Sequence, residues 1–191
     1  MDDIFTKIKS AEGYNNDVSS RWYASEIRKL GRINPMNLVK KGDLKSVIFP
    51  GFMYLFSYMP RDKSELPYYD LFPLVMPFRR VEDGFYGINF HYMPYKLRIL
   101  MLKQLNRYAS DKKMTEKTRL RFNYETLESA RRLRPAKNAV KKYLYSNIRT
   151  RLRKIPSSDW IIASQLPVQI FRKMKMEQVW IKERRKMLAW V

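Results

Sequence analysis

The chain has 191 residues, 45% of them apolar and 14% aromatic, which is enough to bury a core and excludes an intrinsically disordered chain. It contains no cysteine, so disulfides and thiolate metal sites are excluded, and an intracellular or encapsulated setting is expected. The net charge is +21 and unevenly placed: residues 1–95 carry 13 Lys and Arg against 11 Asp and Glu, whereas residues 96–191 carry 26 against 7. A half that basic repels itself unless something outside the chain neutralises it, so an anionic partner is expected.

The chain opens on MDDIFTKIKS, which has no apolar signal core. Helix is expected in parts of the stretch up to Leu30. Ser19 or Ser20 can cap a helix that carries Tyr23, Ile27 and Leu30 on one face, and Gly31 can end it. Residues 34–43, with Pro35 and Gly42, read as a loop. The longest uncharged run, Ser46 to Pro60, is interrupted by Pro50 and Gly51 and falls short of the roughly 20 apolar residues that cross a membrane.

Aromatic and β-branched residues then dominate, broken by Pro and Gly, which is strand chemistry. Strands are expected near 52–59, 74–81 and 85–92, with a fourth around 45–49. Asp83-Gly84 supplies the tight turn between two of them. Pro73 and Pro77 place the 74–81 strand at a sheet edge or put a bulge in it. Residues 59–70 are too long for a tight turn and form an excursion whose Tyr68 and Tyr69 pack back on the sheet.

From Pro94 the period becomes helical through Tyr108, followed by a polar link over 110–118 and a helix over 122–134. In 136–155 Val140, Leu144, Ile148, Leu152 and Ile155 suggest a third helix, with Lys142, Arg149 and Arg153 on its other face and Lys141, Arg151 and Lys154 beside them. Ser157, Ser158 and Asp159 can cap a short helix through Leu166, and Pro167 can open a last one to about Leu188. The fold class is α+β: a small antiparallel, aromatic-rich sheet in the middle, with an N-terminal helix before it and a basic helical region after it. Residues 1–95 hold the helix and sheet, and residues 96–191 form the basic region packed on them as one structural unit.

No acid occurs between Glu128 and Asp159, so pairing along a helix cannot account for the cations there. Arg131 and Arg132 extend the charge upstream, and Arg184, Arg185 and Lys186 extend it downstream. Arg is frequent in these clusters, and its planar fork suits phosphate oxygens. The candidate nucleic-acid-binding residues are therefore Lys141, Lys142, Arg149, Arg151, Arg153, Lys154, Arg131, Arg132, Arg184 and Arg185. No helix-turn-helix, zinc-finger or RNA-recognition signature is present, so backbone contact is expected rather than base reading. Among the aromatic residues, Phe85, Tyr86, Tyr68 and Tyr69 are candidates for a protein interface. His91 is the only histidine and reads as structural. The acids Asp62, Glu65, Asp70, Glu82 and Asp83 sit mostly in apparent loops, and no Walker, GxSxG or HExxH motif occurs. Neither catalysis, a metal nor a cofactor is expected.

The run PGFMYLFSYMPRDKSELPYYDLFPLVMPF (50–78), followed by GFYGINFHYMPYKLRILMLKQL (84–105), resembles small virion-associated proteins of large contractile-tailed, T4-like phages. A weaker echo lies in Val140–Trp160. The resemblance extends both to DNA end protectors and to minor neck or baseplate components, and it transfers no binding or catalytic positions. It implies a virion or host-cytoplasm location and a place in a larger assembly. The leading expectation is a non-enzymatic protein that binds DNA, more than RNA, without sequence preference through basic C-terminal helices. The alternative is a structural adaptor that docks on acidic virion proteins.

Overall fold

The computed structural model describes residues 3–12, 19–109 and 138–188. The link over 110–118, the helix over 122–134, and Arg131 and Arg132 therefore lie outside the described residues. Two N-terminal helices, α1 (Ile4–Glu12) and α2 (Ser20–Lys29), are followed by a short α3 (Pro35–Val39). The Ser19 side chain caps α2 by accepting from the Trp22 N–H at 3.2 Å, and Gly31 leaves the helix at φ +67°. Residues 34–43 are more ordered than a loop: Asn34 accepts from the Met36 N–H at 2.9 Å and Pro35 occupies the first helical position, the favoured start of a helix.

Six antiparallel strands form the main sheet: β1 (Asp43–Lys45), β2 (Met53–Leu55), β4 (Leu74–Val81), β5 (Gly84–Asn89), β6 (Val140–Leu144) and β7 (Leu152–Ile155). Their order is β1-β7-β2-β4-β5-β6. A two-stranded ribbon pairs β3 (Tyr69–Asp70) with β8 (Phe171–Arg172). The β4–β5 hairpin turns at Asp83-Gly84, and its register shifts between Pro77 and Arg79. A bulge there lets Pro77 sit in a strand flanked on both sides, so β4 is interior and not an edge. The mixed α+β class holds.

The helix expected over 136–155 is overturned in its described part: 138–155 forms β6, a 3-10 turn at Tyr145–Asn147, and β7. The apolar spacing of four residues that suggested a helix is also a multiple of the strand period of two. Ile155 breaks that series, and it faces opposite to Leu152 across the sheet. The basic C-terminal segment thus contributes strands as well as helices.

One sheet face carries Met53, Leu55, Leu74, Met76, Ile88 and Ile155 and packs against the helices. These include α4 (Tyr95–Ala109), α5 (Trp160–Gln165) and α6 (Met176–Leu188). The helix expected from Pro167 begins only at Met176, because residues 171–172 are taken up by β8. The other face is an aromatic cluster of Tyr54, Phe56, Tyr58, Phe85 and Tyr143 with Val75 and Leu152. The Tyr143 ring stands edge-on to Tyr58 at 4.9 Å and stacks on Phe85 at 5.4 Å, geometries that add to simple burial. No described helix is long and apolar enough to cross a membrane.

Candidate nucleic-acid interface

Among the described residues β6 pairs with β5 alone, and consecutive lysines are a common way to protect an edge strand from further pairing. Lys142 on this strand binds Asp83 at 2.8 Å; that hydrogen bond raises the lysine's pKa and lowers the carboxyl's. Lys141 lies 4.2 Å above the Tyr92 ring, and burial pulls its pKa down, against the opposing pull of Glu183. The remaining candidates divide by burial. Arg149 is exposed in the turn before β7, held by its own N–H donating to the Ser57 carbonyl at 2.8 Å. Arg151 is exposed and donates to the Leu44 carbonyl at 2.9 Å. Lys154 lies over Phe52 at 3.8 Å. Arg184 and Arg185 are exposed on α6.

Arg153 is different. It is 3% exposed, donates to the Leu38 carbonyl at 3.0 Å, ion-pairs with Asp3 and stacks on Phe5. Its cation joins the N-terminal helices to the sheet and is not presented to solvent. By contrast Arg149, Arg151, Lys154, Arg184 and Arg185 meet no carboxylate within 4.0 Å among the described residues. β6 and β7, which carry several of the candidate cations, are not neighbours in the sheet, being separated by β2, β4 and β5.

One cleft does gather candidates that the sequence had placed in two separate groups. It encloses 290 Å³ between β6, the 58–70 excursion and α6, and it is lined by Lys141, Lys142, Tyr68, Tyr69, Tyr58, Tyr92, Glu183 and Lys186 among others. α6 is seated there by Trp180 Nε1 donating to the His91 carbonyl at 2.9 Å and by Asn138 Nδ2 donating to the Glu183 carbonyl at 2.9 Å. Glu183 is 5% exposed, and its Oε1 accepts from the Tyr68 hydroxyl and from Lys186 Nζ. Lys186 also donates to the Tyr68 hydroxyl at 3.0 Å. Burial, then the bond to Glu183, raises the Tyr68 pKa.

Behind the cleft lies a polar network. Asp70 accepts from the Phe72 N–H at 3.1 Å, from Asn89 Nδ2 at 3.1 Å and from His91 Nδ1 at 2.7 Å. Asn89 Nδ2 also donates to the Tyr143 hydroxyl at 3.0 Å. His91 is fully buried, and desolvation lowers its pKa despite the Asp70 carboxylate, so it is neutral at pH 7 with the proton on Nδ1. The dyad resembles a catalytic pair in its geometry alone, because no solvent-exposed atom of His91 is available to a substrate. Among the described residues no group of three or more His, Cys, Asp or Glu is placed to hold a metal.

Of the interface candidates, Tyr69 and Tyr86 are half-buried and Tyr68 is 5% exposed in the cleft wall. Phe85 is 0% exposed, and its ring belongs to the aromatic core rather than to a surface. Sequence reasoning counted Lys186 among the downstream cations but missed Glu183. The one available signal was the acid standing alone in Lys182-Glu183-Arg184-Arg185-Lys186, which an all-phosphate surface does not require.

Residues 2–183 match the family model described as phage T4 terminal DNA protecting protein. No curated protein and no solved structure matches the chain.

Proposed function

Because the chain belongs to the family of the phage T4 terminal DNA protecting protein, we propose that it is a non-enzymatic virion-associated protein that covers the ends of packaged phage DNA. The family match, spanning nearly the whole chain, carries this reading. The charge supports it: the cations that no described carboxylate neutralises need an external polyanion. They sit in the turn before β7, on β7 itself and at exposed positions of α6, a distribution suited to phosphate contacts from several directions. Along the duplex, binding is to the backbone and without sequence preference, because the sequence carries no helix-turn-helix, zinc-finger or RNA-recognition signature.

The test compares linear duplex, covalently closed circular duplex and single-stranded RNA, with binding and exonuclease protection measured across a salt series. The expected result is tighter binding to linear than to closed DNA and slower exonuclease digestion. Affinity should drop on the order of a thousandfold between 50 and 200 mM salt. Arg149, Arg151, Arg184 and Arg185, all changed to Glu, should lose that affinity while keeping the fold; Arg153 is left intact because it is buried. Equal affinity for closed and linear DNA would remove the end-protecting role. Failure to bind DNA, together with a nuclease-resistant complex with acidic virion proteins, would establish the adaptor reading instead.

A further inference from the structure

One group in the cleft is not used by the fold. Glu183 lines the cavity, and its Oε2 is buried with no donor among the described residues. A buried carboxylate oxygen without a donor is costly, so the position calls for an N–H or O–H group from outside the chain. The surroundings limit what that group can belong to. A free cation would meet Lys141 and Lys186, which already stand over Tyr92 and beside Glu183. A bare anion would meet Glu183 itself. A ligand that fits carries an anionic group for the lysines, a neutral N–H for Glu183, and a flat ring to lie against Tyr69, the half-buried tyrosine of the lining.

A single nucleotide has all three. The cleft's 290 Å³ is at the lower limit of small-ligand sites, which start near roughly 300 Å³; that is room for one such unit and not for a duplex. We infer that the cleft receives the terminal nucleotide of a DNA strand, turned out of the stack, with an amino group of its base donating to Glu183 Oε2 and its phosphate beside Lys141. This rests on the end-binding reading above and assigns it a site. Unstacking is least costly where a base has a neighbour on one side only, so a strand end suits such a cleft better than the duplex interior. Cytosine, adenine and guanine each carry an exocyclic amino group, whereas thymine offers only a ring N3–H set between two carbonyl oxygens that would repel the carboxylate. A terminal thymine is therefore the poor ligand.

The experiment measures the full chain by fluorescence anisotropy at fixed salt against three probes of common sequence. Two are duplexes with a one-nucleotide overhang, either cytosine or thymine, and the third is a dumbbell sealed at both ends. The native chain should bind the cytosine end about tenfold tighter than the thymine end, at the lower end of what one base-directed contact contributes. Glu183→Gln should erase that preference, and Lys141→Gln should weaken both ends; thermal denaturation reports that each variant is folded. If Glu183→Gln does not fold, the native preference and Lys141→Gln decide the matter. A native chain that prefers ends but ignores the terminal base, with both variants binding like it, overturns the cleft assignment and leaves end binding standing. A native chain that binds the dumbbell as tightly as either overhang overturns end binding and the cleft with it.

Discussion

Arg98 and His91 are both 0% exposed and show how single charged or titratable side chains hold this structure together. Arg98 donates to the carbonyls of Met93 at 2.7 Å, Ser164 at 2.9 Å and His91 at 3.2 Å, and lies against the rings of Tyr95 and Trp180. Desolvation brings its pKa down to about 10, so it is still a cation at pH 7. His91 is the complementary case. Burial lowers its pKa below 6.5; the Asp70 carboxylate opposes that shift, and Arg98 reinforces it. Between the folded and unfolded pKa values the unfolded chain binds more protons, so stability is present above pH 6.5 and is lost as the pH falls below it. Thermal denaturation should show Tm falling between pH 7 and pH 5, with His91→Gln flattening that slope. A variant with the native pH profile would place the sensitivity elsewhere. At this scale the sequence was only partly legible. Ser19 and Gly31 announce their helix boundaries locally, whereas nothing adjacent to Arg98 or Arg153 separates them from the exposed charges on either side.

Among the elements, the β4–β5 hairpin makes the clearest case for local coding, since Asp83-Gly84 and the flanking aromatics specify it within 16 residues. Its packing also constrains a position that patterning alone does not flag. Gly87 pairs with Lys141 on β6, and a Cβ there would overlap Val75 Cγ1 and crowd the Met76 carbonyl at 3.0 Å. Gly87→Ala should destabilise by about 1–3 kcal/mol. Urea unfolding should report this as a lower midpoint with an unchanged slope, and an unaltered midpoint would mean that the sheet yields there. The segment from Val140 to Ile155 was the least legible element. Its apolar spacing satisfies two periods at once, and strands at the edge or in the middle of a sheet are selected by distant partners: Phe85 and Gly87 for β6, Tyr54 and Leu44 for β7. The excursion over 59–70 was placed correctly against the sheet, but its pairing with residues 171–172 is non-local and left no trace in either stretch.

For the molecule as a whole, the net charge of +21 is a source of strain in the absence of a polyanion. Added salt screens that repulsion, so Tm should rise as NaCl increases from about 10 mM to about 300 mM, and short duplex DNA should raise it further by mass action. A Tm that falls with salt would mean that the molecule's own ion pairs outweigh its surplus. The sheet order has a separate consequence for how the protein is made. β7, drawn from residues 152–155, is inserted between β1 and β2, which are separated by only seven residues in the chain. While a ribosome is translating anything before that segment, β2 can pair with β4, but β1 has no strand to join it to the rest. The sheet can close only after four-fifths of the polypeptide has emerged, so nascent chains pass through a long interval with β1 and the facing edge of β2 unpaired. Expression at low temperature or with holdase chaperones in excess is the condition under which such a late-closing chain should be recovered intact.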